Sequence, residues 1–246
     1  MPRTILITGA NRGIGFSVVQ GLALQKLDDQ LVLAARSIDK ANGAIAELRK
    51  LGLTSDIHSL ALDVTDDVSI RAAEQTVRGR YGKLDILINN AGIAIIPFPG
   101  EIDNLRSIYN AIYDTNVSGV AVFTSVFLPL LALSPDPRVI NVSSGRASIE
   151  LAMSGKLPPT GSIPYSTSKT ALNVLTIEYQ KLHPNVLFQT IDPGYCKTGM
   201  NGYRGPRDPL DGASVIVKLA NAARDKYKSR FWAMDNGAEE CSTVPW

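Results

Sequence analysis

Short runs of Ile, Leu and Val, almost unbroken by polar residues, alternate along this chain with longer stretches of helical pattern. That alternation constrains the fold more than any other feature. Residues 4–8 precede a helix expected over 13–26, and 31–35 precede one over 39–51 that stops at Gly52. Residues 57–62 precede a helix over 66–81, which opens on the capping residues and acids of "DVTDD". Further strands are expected at 84–88, 139–142 and 186–191, with a weaker last one at 231–234. Strands apolar on both faces need cover on both faces. A β-α-β-α order then predicts a doubly wound parallel sheet with right-handed crossovers. No linker, repeat or low-complexity stretch interrupts it, so residues 1–246 are expected to form one domain.

Composition narrows the functional classes. Hydrophobic residues make up 45% and charged residues 20%, enough of each for a buried core and a solvated surface. The net charge of +2, with its basic residues scattered, leaves no footprint for nucleic acid or an anionic membrane. The most apolar stretch, "GVAVFTSVFLPLLAL" (119–133), is shorter than a bilayer span and contains Pro129, so a buried helix is expected. "MPRTILIT" enters a strand directly and does not read as a secretory leader. Cys196 and Cys241 are the only cysteines and imply no disulfide framework, so a soluble, reducing, cytoplasmic setting is expected. His58 and His183 offer no metal-ligand spacing. Both Gly-Lys pairs lack the earlier glycine of a P-loop, because Val77 and Glu150 stand there.

One stretch points to a ligand. "TGANRGIG" (8–15) follows the first strand and opens the first helix. Glycines in that context let backbone approach a pyrophosphate while the free N–H groups of the helix start face the anion. Gly9, Gly13 and Gly15 are spaced G-x3-G-x-G, which departs from the generic G-x-G-x-x-G pattern. A plain turn is the competing reading. The end of the second strand, "LVLAARS", adds a second signal. Where an acidic reader of a ribose 2′-hydroxyl is expected, the chain has Ala35 and then Arg36. No carboxylate stands there to repel a 2′-phosphate, and the planar forks of Arg12 and Arg36 are suited to bracket one.

Three more stretches complete a pattern: "NNAG" (89–92), "NVSS" (141–144) and "YSTSK" (165–169). With "TGANRGIG", and in this order, they make the chain resemble the short-chain dehydrogenase/reductase family from end to end. "DPGYCKTGMNG" (192–202), "GPRDPLDGA" (205–213) and "SRF" lean toward its carbonyl reductase-like branch. The resemblance implies a single Rossmann-type α/β domain, a seven-stranded parallel sheet in the order 3-2-1-4-5-6-7 with helices on both faces. It also implies NADPH or NADP as cofactor. Gly9, Gly13, Ile14 and Gly15 would hold the pyrophosphate, with Arg12 and Arg36 at the 2′-phosphate. Asp63 and Val64 would meet the adenine, and Asn90, Ala91 and Gly92 would pass beside the adenosine ribose. Pro193, Gly194 and Thr198 would fix the nicotinamide carboxamide. Asn116, Ser144, Tyr165 and Lys169 would form the catalytic tetrad, with Tyr165 and Lys169 also touching the cofactor. Ser144 is chosen over Ser143 by family register alone.

The chemistry asks for these residue types. Tyr165 and Lys169 are four apart, so a helix brings them to one face. A free phenol has a pKa near ~10, and a neighbouring ammonium is expected to pull it down toward the working range of acid–base catalysis. In the family's reaction Tyr165 would give a proton to a carbonyl oxygen as hydride reaches the carbonyl carbon. Ser144 would hydrogen-bond the same oxygen, and Asn116 would support a water relaying protons to Lys169. The segment 145–164 between Ser144 and Tyr165 is longer than in the family's shorter members and rich in Gly, Ser and Pro, so a loop is expected. With loops near 93–100 and 195–208 it would wall an apolar substrate site using Ile95, Ile96, Phe98, Met153, Leu157, Met200 and Tyr203. Cys196 is expected to be a buried thiol without a task.

The expected activity is therefore NADPH-dependent reduction of a ketone, aldehyde or quinone. An oxidative alcohol dehydrogenase, and a non-redox member that keeps the cofactor for a binding or regulatory role, are the alternatives. The partner is a small-molecule carbonyl or alcohol, with no nucleic acid and no membrane. Monomer and homo-oligomer both remain open.

Overall fold

The expected alternation is present in the computed structural model, which describes residues 2–25, 27–97, 100 and 102–246. The order is β1 (Thr4–Ile7), α1 (Gly13–Leu24), β2 (Gln30–Ala35), α2 (Ile38–Lys50), β3 (Asp56–Ala61), α3 (Asp67–Tyr81) and β4 (Ile86–Asn89). There follow α4 (Leu105–Tyr113), a π-helical turn (Asp114–Ser118), α5 (Gly119–Leu131), β5 (Arg138–Val142), α6 (Ile149–Met153) and α7 (Ile163–Leu182). The chain closes with β6 (Leu187–Asp192), α8 (Pro209–Asn221), β7 (Phe231–Ala233) and β8 (Ser242–Thr243). Gly52 and Gly82 sit past α2 and α3 with φ of +81° and +73°, the left-handed geometry that ends a helix. α1 stops at Leu24 rather than at Lys26, which lies outside the described residues.

The sheet order is β3-β2-β1-β4-β5-β6-β7-β8. Its first seven strands are parallel, and β8 adds an antiparallel edge against β7. The eighth strand corrects the expected seven. It has two residues, too few to leave a hydrophobic period in the sequence. Alternate strand residues enter opposite cores, which explains the unbroken apolar runs. Ile5, Ile7, Leu31, Leu33, Ile86, Ile88 and Ile140 face one side, with α1, α2 and α8. Leu6, Val32, Ala34, Leu87 and Val139 face the other, where Ile70 and Val77 of α3 and Phe123, Phe127 and Leu130 of α5 cover them.

Two other expectations change. Joined through the π turn, α4 and α5 run Leu105–Leu131, 27 residues with an 18-residue stretch of mean hydropathy 1.3, long and apolar enough by length and composition to cross a bilayer. In the fold this helix lies on the sheet, with Phe123, Phe127, Leu130 and Leu131 fully buried. The expected loop 145–164 carries a 3-10 turn (Gly145–Ala147) and the short helix α6, started by Ser148, whose Oγ accepts the Leu151 N–H at 3.1 Å. The Gly, Ser and Pro that mark the segment as a loop gather at its ends.

A polar ladder crosses the sheet where β4 meets β5. Asn89 and Asn141 are register partners, and Asn89 Nδ2 donates to Asn141 Oδ1 at 2.8 Å and to Thr124 Oγ1 at 3.1 Å. Asn141 Nδ2 donates to Thr176 Oγ1 at 2.8 Å. The first residues of "NNAG" and "NVSS" thus bolt α5, β4, β5 and α7 together. Buried amides left unpaired would be costly, so the ladder fixes register as well as contact.

α5 starts against the loop after β3. A Cβ on Gly119 would lie 2.4 Å from the Val64 carbonyl oxygen, closer than any relaxed contact. Ala is the better helix former by about 1 kcal/mol, but overpacking backbone costs roughly 1–3 kcal/mol. The collision is expected to win. Gly119→Ala should lower the urea midpoint, and an equal or higher midpoint would show that the loop yields freely.

Candidate active site

The carboxyl ends of β1 and β4 lie where the strand order reverses, the crevice in which open α/β sheets bind ligands. The glycine loop leaves β1 there. Gly9 and Gly13 have φ of +62° and +57°, which side chains rarely adopt. A Cβ on Gly15 would stand 2.4 Å from Asn90 Nδ2, and one on Gly9 would stand 3.0 Å from Ala91 Cα. The loop is thus packed from below by "NNAG". Asn90 Nδ2 donates to the carbonyls of Thr8 and Gly9 at 2.8 and 3.2 Å. Thr8 Oγ1 accepts the N–H groups of Asn90 and Ala91 at 3.0 and 2.9 Å.

Above this floor α1 begins. Arg12 is its N-cap residue and provides no side-chain cap, and no acid occupies the first turn. The N–H groups of Gly13, Ile14 and Gly15 lack acceptors within the helix and face the mouth of the loop, as an anion site requires. Gly13 also faces Thr198 across the crevice, since a Cβ on it would come 3.4 Å from Thr198 Cγ2. A backbone cradle that side chains would fill, with free N–H groups at its rim, fits a dinucleotide pyrophosphate. Arg12 and Arg36 are exposed, on the loop and just past the end of β2. Neither guanidinium has a hydrogen-bond or ion-pair partner among the described residues.

Asp63 holds its own turn, with Oδ1 accepting from Thr65 N and Thr65 Oγ1 at 3.0 and 2.7 Å. Val64 is buried behind it. At the other end, Gly194 has φ +76° and its N–H donates to Asp192 Oδ1 at 2.9 Å. Cys196 Sγ donates to the Pro193 carbonyl at 3.2 Å, and burial pushes its thiol up to about 11, so it is inert packing beside the Pro-Gly turn.

α7 brings Tyr165 and Lys169 to the same crevice. Lys169 Nζ donates to the Val142 carbonyl at 2.7 Å and lies 5.8 Å from the centre of the Tyr165 ring. Gly92 passes beside it, because a Cβ there would meet Nζ at 3.5 Å and Asn116 Oδ1 at 3.2 Å. Asn116 is fully buried in the π turn, a helix defect frequent at functional sites. Its amide exchanges two bonds with the Ile93 backbone, both at 2.9 Å, and donates to Ser168 Oγ at 3.0 Å. It joins the strand-end segment to α7, and no sequence signal announces the π turn that places it.

The two serines of "NVSS" separate clearly. Ser143 is buried, and its Oγ donates to Asn173 Oδ1 at 2.7 Å. Ser144 is only partly buried; its Oγ accepts the Arg146 N–H at 3.3 Å, and its hydroxyl is near enough to Tyr165 to act on the phenol. The pair that faces the crevice is therefore Ser144 and Tyr165.

The electrostatics correct one expectation. Burial pushes the Tyr165 phenol up to about 12, against the lowering effect of the nearby Ser144 hydroxyl, and the Asp192 carboxylate pushes it further up. Lys169 is not among the groups that move it. The Lys169 Nζ lies over the ring at 5.8 Å from its centre with a proton committed to the Val142 carbonyl, and burial lowers Lys169 itself to about 8. Without a bound ligand the phenol is a firmly protonated donor.

The segments expected to wall the crevice carry exposed apolar side chains: Ile95 and Ile96, Ile149 and Met153, and Tyr195, Met200 and Tyr203. Tyr203 has φ +62°, a strained geometry for a bulky residue, and its N–H donates to the Thr198 carbonyl at 2.8 Å. Phe98, expected in the same wall, lies outside the described residues. Thr8, Asn89, Asn141 and Asp192 were not singled out by sequence, because their tasks are contacts between distant segments.

Known proteins agree with this architecture. The family model described as short chain dehydrogenase matches residues 3–208. The short-chain dehydrogenase anuI of Penicillium roqueforti is 40% identical over 230 residues, 90% of this chain and 90% of that one. A short-chain dehydrogenase/reductase of Aspergillus fumigatus is 34% identical over 262 residues, covering 99% and 97%. Among solved structures, NADPH-bound carbonyl reductase from chicken fatty liver matches with a TM-score of 0.81 and 27% identity, over 100% of this chain and 99% of that one. With the sheet order, the glycine cradle and this match in hand, the chain belongs to the short-chain dehydrogenase/reductase family of oxidoreductases.

Proposed function

We propose that this enzyme reduces a carbonyl group of an apolar ketone, aldehyde or quinone to an alcohol with NADPH, in the cytoplasm. One observation carries the reading: a protonated, desolvated phenol, Tyr165, beside the Ser144 hydroxyl and one helical turn from Lys169. When bound, the nicotinamide supplies hydride to the carbonyl carbon. Ser144 and Tyr165 present two hydroxyls to the carbonyl oxygen, and Tyr165 gives it the proton. The Lys169 ammonium, held against Val142, resupplies a proton to the phenolate left behind, and Asn116 keeps α7 and the Ile93 segment in register. A phenol protonated throughout the neutral range is in the form that reduction needs, whereas alcohol oxidation needs the phenolate.

The unpartnered Arg12 and Arg36, with Ala35 where an acid would repel phosphate, support NADPH over NADH, as does the NADPH bound by the chicken carbonyl reductase. The exposed apolar rim supports a hydrophobic substrate.

A screen of NADPH consumption over aldehydes, ketones and quinones tests the reading, and Tyr165→Phe should lower kcat about 10²–10⁴-fold with NADPH binding kept. Full retention of function in that variant would favour a non-redox role. Arg36→Asp should move the NADPH-to-NADH preference by roughly tenfold or more, the value of a charge-assisted phosphate contact, and an unaltered ratio would remove the assignment to NADPH. Lys169 is charged below about 8 and neutral above it, whereas Tyr165 stays protonated well beyond that pH. Reductive kcat/KM should accordingly be level near neutrality and fall as pH rises through about 8, and a profile level well above that pH would exclude the ammonium from the proton path.

A further inference from the structure

The segment from Ser144 to Tyr165 is suspended between the two hydroxyls of the candidate site, yet α6 within it buries none of its residues. Met153 is 84% exposed. Such a helix needs ties from outside. One lies at its start, where Ala147 and Ser148 are buried and Thr170 Oγ1 donates to the Ala147 carbonyl at 3.0 Å. The other comes from a distant part of the chain. The Glu150 N–H, a first-turn donor without a partner inside the helix, donates to the Trp246 carbonyl at 3.2 Å. The Trp246 ring stacks on Phe231, with centroids 5.8 Å apart and planes 28° from parallel. Phe231 is fully buried in β7, and its carbonyl accepts the Val244 N–H at 2.8 Å. A rigid core strand therefore reaches α6 through one indole-bearing residue.

We propose that Trp246 is a positioning residue for substrate selection: it sets the height of α6 above the crevice, and so the bulk of carbonyl compound that Ile149 and Met153 admit. The inference rests on the reductase reading of this site. Elements with few buried contacts open most readily, so loss of one anchor shifts α6 without disturbing the cofactor cradle on the other side of the sheet's midpoint.

The test uses the full chain carrying Trp246→Ala or Trp246→Phe, with NADPH and two substrates, cyclohexanone and 9,10-phenanthrenequinone. In Trp246→Ala the ratio of their kcat/KM values should change roughly three- to tenfold, the range a stacked aromatic pair supplies. The change should lie mainly in KM, with NADPH affinity by fluorescence unchanged, and Trp246→Phe should restore the ratio. Hydrogen exchange provides a readout that needs no turnover: the amides of residues 149–153 should exchange faster in Trp246→Ala than in the parent. An unchanged ratio with a lower melting temperature would make Trp246 only a brace for β7 and β8, and unchanged exchange at 149–153 would overturn the anchoring itself. A parent enzyme inactive on all carbonyls would sink the reductase reading while exchange still decides the anchor.

Discussion

The β1–β4 ladder joins the two halves of this sheet, and a single hydroxyl locks its carboxyl end. Thr8 leaves β1 where the strand order reverses, and its Oγ1 accepts the N–H groups of Asn90 and Ala91 from the end of β4. Asn90 answers by holding the carbonyls of Thr8 and Gly9. This reciprocal clamp sets the floor height of the glycine loop, and Gly9 and Gly15 are glycines because the clamp leaves no room for a Cβ. Everything above depends on that height. The free N–H groups of α1, the passage between Gly13 and Thr198, and the approach of Gly92 to Lys169 are all measured from it.

Buried polar groups are used differently in the two parts of the molecule. In the sheet, the Asn89–Asn141 ladder is satisfied from Thr124 to Thr176 and serves to fix register. At the crevice, desolvation shifts protons instead. The same burial that raises Tyr165 lowers Lys169, because water removal penalises whichever form is charged. The two shifts reverse the order the pair has in water, so that the phenol holds its proton more tightly than the amine does. A site so arranged holds its proton on the phenol.

In the proposed reading, selectivity is built at the apolar rim. Loops at the carboxyl ends of strands carry the exposed Ile, Met and Tyr side chains, while the cradle beneath is backbone and glycine. Substrate preference can then vary with little effect on cofactor binding. The strained Tyr203 and the suspended α6 are both on the variable side, the first stiffened by its turn and the second by its anchor in β7.

The sequence by itself determined the strand and helix order, the glycine cradle and the spacing of Tyr165 and Lys169, because these are short-range patterns written in consecutive residues. It also determined that no acid follows β2, where Ala35 and Arg36 stand. Only the tertiary structure separated Ser143 from Ser144, since both flank the same strand end and differ only in which side faces α7. Tertiary contacts alone also placed Asn116 in a π turn, added β8, gave 145–164 a helix and raised the phenol where a neighbouring amine was expected to lower it. Each of those outcomes depends on how much water and which distant backbone surround a side chain, and neither quantity is local to the residues that carry it.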